Sequence, residues 1–194
     1  LSLHDALPIC KTVAVLDLGL KHSMLRELSL RKINVTVLPY DASVRDIENL
    51  RPDGIIISNG PGKADEVETN LAPIFDHFYS KQPIWGIGLG FLALSNYLNF
   101  ELVTLPEEFN GTNYPVIEQN SNQIWQVAMN IDQLVLPDSV QLQMDQEYFD
   151  LHSELLAGFS NNKEKVIATA FNAEGAPGSL DAQVIFDDFV KMME

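Results

Sequence analysis

The sequence contains very little cysteine. Cys10 is the single cysteine among 194 residues, which excludes an internal disulfide and fits a reducing compartment, so we expect a cytoplasmic protein. The few cysteine and histidine residues form no cluster with the spacing of metal ligands. The sequence therefore predicts no metal site and implies no cofactor.

Basic residues are also scarce. The chain has 12 Lys and Arg against 27 Asp and Glu, which gives a formal net charge of −15. Nucleic acids and anionic membrane surfaces are bound through basic patches, and this charge balance disfavours them. No apolar run approaches the roughly 18 residues that a membrane span requires. We therefore expect neither nucleic acid nor a membrane as a partner.

The first half of the sequence alternates regularly between strand and helix patterns. Strands are predicted at residues 12–18, 34–39, 54–58 and 83–87, with helices at 23–31, 43–50 and 71–80 between them. Such alternation is typical of βαβ units around a parallel sheet. Residues 1–9 have neither a clear period nor basic targeting character. We interpret residues 1–11 as a non-native or disordered segment that precedes one domain at 12–194.

The second half of the sequence has shorter strand patterns. Strands are predicted at residues 101–104, 115–118, 123–129, 140–144 and 166–171, with polar turns at 120–122 and 160–162. A last helix is predicted at 180–192, capped by Ser179 or Asp181. No linker long enough to mark a second domain separates the two halves.

Three glycines at every second position interrupt residues 83–98. They are Gly86, Gly88 and Gly90, and they lie between an apolar strand pattern and a helical pattern. A sharp turn of this kind exposes its middle residue at the top of a sheet, where a nucleophile can sit. The new helix also directs its N-terminal amides at the same place. The middle residue is Gly88, so the turn predicts an active site that lacks a nucleophile.

A second glycine loop, at residues 58–62, follows the preceding strand of the predicted sheet. Because ligands collect at the carboxyl ends of parallel strands, two adjacent glycine loops favour a ligand site. A dinucleotide fingerprint is excluded by spacing, since its third glycine would fall on Phe91, and the negative charge disfavours a phosphate ligand. A small-ligand or nucleotide-binding module that uses both loops stays open as an alternative.

The order of strand, Asn59-Gly60-Pro61-Gly62 loop, strand, glycine turn and helix resembles class I glutamine amidotransferases. Residues 18–28, 52–62 and 173–189 are more closely similar to the glutaminase domain of carbamoyl phosphate synthetase small subunits, over about 13–193. This resemblance implies an α/β fold, a flavodoxin-like three-layer sandwich with a mostly parallel central sheet. It also implies a cysteine–histidine–glutamate triad that hydrolyses glutamine and passes ammonia to a large subunit, within pyrimidine or arginine biosynthesis.

Carried over by position, the resemblance gives a triad with two substitutions. The nucleophile falls on Gly88, the general base on Asn172, and the orienting acid on Glu174, which is retained. An asparagine cannot accept a proton at neutral pH and so cannot be a general base. The remaining positions that the resemblance implies are the oxyanion and substrate residues Gly60, Gly62, Leu89 and Leu92, with Phe91 and Leu92 replacing a histidine–glutamine pair.

No other residue is expected to replace the missing nucleophile. Cys10 precedes the first strand and should lie roughly 20 Å from the glycine turn. We therefore predict a pseudo-glutaminase that binds glutamine weakly or not at all and acts as a partner of a large subunit that uses free ammonia. The alternatives are an active glutamine-hydrolysing small subunit and the small-ligand module described above. A glutaminase assay and co-purification with a large subunit separate these hypotheses.

Overall fold

The computed structural model describes residues 10–105 and 111–194. The elements follow in chain order as β1 (Thr12–Asp17), α1 (His22–Leu30), β2 (Asn34–Pro39), α2 (Val44–Leu50), β3 (Gly54–Ile57), α3 (Ala64–Phe78), β4 (Ile84–Ile87), α4 (Leu89–Tyr97), β5 (Leu102–Thr104), β6 (Gly111–Glu118), β7 (Gln123–Met129), β8 (Gln133–Val135), β9 (Gln146–Asp150), β10 (Leu156–Asn161), β11 (Val166–Thr169), β12 (Phe171–Asn172) and α5 (Val184–Met192).

The central sheet is built on five parallel strands in the order β2-β1-β3-β4-β11. This order follows the flavodoxin-like pattern, in which the direction of strand addition reverses between β1 and β3. Beyond β11 the sheet continues through antiparallel strands in the order β10-β9-β6-β7-β12, and β8 pairs with β10 and β5. The prediction of an α/β fold with a mostly parallel central sheet is confirmed.

Four of the five parallel strands, β1, β3, β4 and β11, are buried on both faces, whereas the edge strand β2 is partly exposed. The side chains of Val13, Ile56 and Trp85 are fully buried, as short continuous apolar runs predict for a sheet covered by helices. The Trp85 ring packs against Phe186 of α5, with ring centroids 4.8 Å apart. On the other face of β4, a Cβ atom added to Gly86 would lie 2.5 Å from a backbone oxygen of α4. The sheet therefore lies between two helical layers.

Each helical layer is held by specific contacts. In the α1–α5 layer, the Arg31 guanidinium donates to Asp187 at 2.6 Å and to Glu27 at 2.9 Å. In the other layer, the rings of Phe75 in α3 and Tyr97 in α4 lie 5.0 Å apart. Neighbouring helices thus contact each other within each layer, and the buried apolar core joins both layers to the sheet.

The predicted strand at residues 140–144 is wrong. Val140, Leu142 and Met144 do pack against the core while the residues between them are exposed, which produces the alternating pattern. Their backbone joins no ladder, however, and the Gln143 carbonyl accepts from the Asn161 side chain at 2.9 Å. The alternation of apolar and polar residues therefore arises here from packing against the core and not from a strand.

Other element boundaries also differ from the predictions. Helix α3 begins at Ala64 rather than at residue 71, in a polar stretch where the Glu66 carboxylate accepts from the Lys63 N–H at 3.0 Å. The fully buried strand β10 includes residues 160 and 161, which were predicted as a turn. The predicted strand 166–171 is interrupted at Ala170 into β11 and β12. Strands β8, β9 and β10 were not predicted as strands.

The last helix is preceded by a 3-10 turn at Asp181–Gln183. The Ser179 hydroxyl accepts from the Asp181 N–H at 3.3 Å, at the start of that turn. The Asp181 carboxylate instead accepts from the Gln126 N–H of β7 at 2.9 Å, and therefore fastens the turn to the sheet. The predicted start at residue 180 and both predicted caps are therefore wrong, since α5 begins at Val184 after Gln183 and has no side-chain cap.

Most of the predicted N-terminal segment, residues 1–9, lies outside the described residues. Lys11 is described, and its ammonium donates to the Met193 carbonyl at 2.8 Å. Among residues 10–105 and 111–194, no helix has both the length and the apolar character required to cross a membrane.

Candidate functional site

Four loops meet at the carboxyl edge of the parallel strands. They follow β1, β3, β4 and β12, and they include Gly19, Asn59, Gly88 and Glu174. The edge between β1 and β3 is the point where strand order reverses, which is where ligands bind in sheets of this type. A Cβ atom added to Gly19 would lie 2.8 Å from the Cα of Gly60, so the first two loops are in direct contact.

The turn between β4 and α4 has the sharp geometry that the glycine spacing predicts. Gly88 has φ 54° and ψ −109°, a backbone conformation that favours glycine. Its N–H donates to the Thr169 carbonyl at 2.8 Å, and its carbonyl accepts from the Leu92 N–H at 3.0 Å. The turn is therefore tied to β11 on one side and to the first turn of α4 on the other.

The Asn59 side chain fills the space above Gly88. Its Oδ1 accepts from the Gly60 N–H at 2.8 Å and from the Leu89 N–H at 3.2 Å. A Cβ atom added to Gly88 would lie 2.1 Å from the same oxygen. The sequence predicted Gly60 and Leu89 as oxyanion residues but gave Asn59 no role, because no local pattern predicts the direction of its side chain.

The loop that carries Asn59 is held by its own contacts. The Leu18 N–H donates to the Ser58 hydroxyl oxygen at 3.0 Å, and that hydroxyl donates to the Asn59 carbonyl at 2.9 Å. A Cβ atom added to Gly60 would lie 1.9 Å from the Leu18 carbonyl oxygen, so only glycine fits there. The Gly60 N–H is therefore fixed in place before any ligand binds.

Glu174 is a buried carboxylate. The residue is 3% exposed, and neither carboxylate oxygen accepts a hydrogen bond from the described residues. Lys21 Nζ lies 3.7 Å from Oε1, an ion-pair distance, and comes from the loop before α1. Burial raises the pKa of the Glu174 carboxyl, and the residue's own backbone N–H and the nearby Lys21 ammonium partly offset that rise. Sequence reasoning did not identify Lys21 as a neighbour of Glu174.

Asn172 lies two residues before Glu174, in β12. It pairs with Ala128 of β7 and is 7% exposed. Together with Lys21 and Asn130 it lines a pocket of ≈ 260 Å³. Because β11 pairs in parallel with β4, the chain that continues into Asn172 and Glu174 leaves β11 at the same edge as Gly88.

A larger cleft of ≈ 420 Å³ opens between the two glycine loops. The described residues that line it are Asn59, Gly60, Pro61, Gly62, Leu89, Leu92, Asn130, Ile131 and Asp132. Leu92 presents an apolar wall to the cleft, whereas Phe91 is fully buried with its ring centroid 6.2 Å from that of Phe159. Of the two replaced positions, Leu92 alone borders the cleft.

The Cys10 thiol and the histidines His77 and His152 lie elsewhere or have their own partners. Cys10 is exposed and precedes the amino end of β1, at the opposite edge of the parallel sheet from Gly88. His77 pairs with Glu48 at 2.8 Å, and His152 lies 3.7 Å from Asp150. His4 falls outside the described residues. Within the described ranges, no group of three or more His, Cys, Asp or Glu side chains could hold a metal ion.

The sequence has clear relatives among carbamoyl phosphate synthase small chains. It is 31% identical over 184 residues to that of Lactococcus lactis subsp. lactis, which covers 95% of this chain and 51% of the relative. The small chain of Streptococcus pneumoniae serotype 4 is 31% identical over 183 residues, with 94% and 51% covered. The chain therefore spans about half the length of these curated relatives.

A crystal structure assigned to a GMP synthase protein of Thermoplasma acidophilum has a similar fold. The TM-score is 0.75 with 20% sequence identity, and the match covers 95% of this chain and 94% of that one. The family model described as glutamine amidotransferase class-I matches residues 14–192. The chain belongs to the class-I glutamine amidotransferase family.

Proposed function

We propose that the chain is the glutaminase-type domain of a carbamoyl phosphate synthase small subunit that does not hydrolyse glutamine. The observation that carries this proposal is the turn at Gly88, where the backbone is arranged for a nucleophile but no side chain is present. Asn172, at the predicted base position, has a neutral amide that cannot take a proton from a thiol. Glu174 is the one member of the predicted triad that is retained.

The remaining role is that of a partner subunit. In this proposal the domain binds a synthetase large subunit in the cytoplasm, and the large subunit makes carbamoyl phosphate from free ammonia for pyrimidine or arginine synthesis. The similarity to small chains over 95% of this chain supports that kind of partner. Loss of a nucleophile and its base removes several orders of magnitude of rate, so catalysis by the remaining groups would be negligible.

Two assays test the proposal. With and without a large subunit, the chain should release no glutamate from glutamine above background, while the complex should make carbamoyl phosphate from ammonium salts. Glutamate release that survives Cys10→Ser but is lost in Glu174→Gln would show an active glutaminase and overturn the inactivity. Failure to co-purify with any large subunit would instead favour a small-ligand module built on the ≈ 420 Å³ cleft.

A further inference from the structure

Two backbone N–H groups converge on one side-chain oxygen at the edge of the cleft. The donors are Gly60, in the loop after β3, and Leu89, the first residue of α4. The two donors belong to different loops, and Leu89 lies thirty positions after Asn59 in the chain. Two amides from separate loops that point at one oxygen form the arrangement that stabilises an oxyanion in acyl-transfer enzymes.

The atom between these donors is an oxygen and not the amide nitrogen. Both neighbours donate, so only the accepting end of the Asn59 carboxamide satisfies them. The partial positive charge at the start of the nine-residue helix α4 also favours the carbonyl end. The Asn59 side chain therefore places a carboxamide oxygen where the oxyanion of a carboxamide substrate would develop.

This placement depends on glycine at position 88. Any side chain there would put its Cβ atom 2.1 Å from Asn59 Oδ1 and 2.3 Å from Asn59 Cγ. A nucleophile at position 88 and Asn59 in its observed position therefore exclude one another. The absence of a side chain at position 88 is therefore what makes room for Asn59 in the observed structure.

We propose that Asn59 is an internal occupant of the oxyanion hole, which closes the cleft to carboxylate and carboxamide ligands. The proposal rests on the proposed function only in treating the Gly60 and Leu89 amides as an oxyanion hole. In the unaltered chain both donors are used, so an external carboxamide finds no free N–H partner there. The cleft is then blocked by a side chain in addition to lacking a nucleophile.

The test uses acetate as a small carboxylate probe and follows the Gly60 and Leu89 amide resonances by NMR. In the unaltered chain these two N–H groups should exchange slowly with solvent, and acetate should not shift their resonances. In Asn59→Ala both should exchange at least about tenfold faster, since a hydrogen bond of ordinary strength is lost. Acetate should then shift both resonances saturably, because the two donors are free.

Asn59→Asp is the matched control. Its side chain has the same length, keeps an accepting oxygen and adds a negative charge. The Gly60 and Leu89 amides should therefore stay occupied, and acetate should again have no effect. Acetate shifts in the unaltered chain equal to those in Asn59→Ala would overturn the proposal. So would an Asn59→Ala variant with unchanged exchange and no response to acetate.

If Asn59→Ala does not fold, amide exchange measured on the unaltered chain still tests the proposal. Gly60 and Leu89 amides that exchange at the rate of unprotected amides would then refute it, and protected amides that ignore acetate would support it. These readouts involve neither a large subunit nor glutamate release. A chain that binds no large subunit but has protected Gly60 and Leu89 amides would therefore refute the proposed function alone.

Discussion

The Lys21 ammonium lies 3.7 Å from the buried carboxylate of Glu174, at the edge of the sheet that carries the candidate site. Because Glu174 is almost completely buried, its charged form is poorly solvated, and Lys21 is the cation that compensates it. The retained acid of the triad thus has a lysine neighbour in this chain.

This pair makes stability depend on pH. The folded-state pKa of Glu174 is raised, so the folded chain keeps a proton that the unfolded chain releases near the ordinary pKa of about 4.3. The contribution of this proton to the free energy of unfolding is fully present below that pH and is lost as pH rises through the folded-state pKa. Glu174→Gln should therefore show a smaller loss of unfolding free energy between about pH 4 and about pH 7 than the unaltered chain.

Lys21→Met should destabilise the chain at about pH 7 by roughly 1–3 kcal/mol, because the buried carboxylate loses its cation. At about pH 4 the loss should be smaller, since Glu174 is then neutral. Urea unfolding at both pH values measures this, with Lys163→Met as the control, because that side chain is 90% exposed. An equal loss at both pH values would mean that Lys21 acts through packing and not through the Glu174 charge.

Gly88→Cys should lower the melting temperature. A side chain at this positive φ costs about 1–3 kcal/mol, or roughly 2–4 °C per kcal/mol for a chain of this size. The Cβ atom also collides with Asn59, so the cost should shrink when Asn59→Ala is added. The double-mutant cycle should then give a clear coupling energy between the two positions.

Gly111→Cys is the matched control for that cycle. A Cβ atom at Gly111 meets nothing within 4 Å, so its effect should stay within about 0.5 kcal/mol. A stabilised Gly88→Cys variant would show that the turn is not strained. Additive effects of Gly88→Cys and Asn59→Ala would show that the two side chains do not compete.

Gly88→Cys alone should stay inactive, because Asn172 supplies no base. Adding Asn172→His and Asn59→Ala should give a thiol whose pKa is lowered by a neighbouring imidazolium, before it gives turnover. Iodoacetamide alkylation against pH measures this, in a Cys10→Ser background because Cys10 is exposed. The alkylation midpoint should fall below the ordinary thiol value of about 8.5. Identical profiles with Asn172 and with the histidine would show that position 172 does not reach the thiol.

Glutamine should bind weakly or not at all. Leu92 gives the cleft an apolar wall, and a substrate amide left without partners there costs about 1–3 kcal/mol. Calorimetry should detect no micromolar binding to the unaltered chain or to Leu92→Gln, because Asn59 still holds both amide donors. Micromolar binding to the unaltered chain would contradict this prediction, and binding to Leu92→Gln alone would assign the block to Leu92.

The sequence by itself determined the elements whose signals are local. Buried runs such as 13–16 and 55–57 predict strands covered on both faces, and the spacing of Gly86, Gly88 and Gly90 predicts the sharp turn. These signals suffice because the period of burial and the need for a positive φ both follow from residues that are neighbours in the chain. The similarity to a glutaminase domain added the expected positions of the site.

Only the tertiary structure decided which side chains meet. Lys21 and Glu174 come from opposite ends of the chain, and their pairing depends on how β1 and β12 are placed in the sheet. Residues 140–144 have a strand period, but whether they join a ladder depends on the neighbours that accept and donate. The direction of Asn59 depends on two amides and on an empty volume above Gly88, which exist only once three loops have packed together.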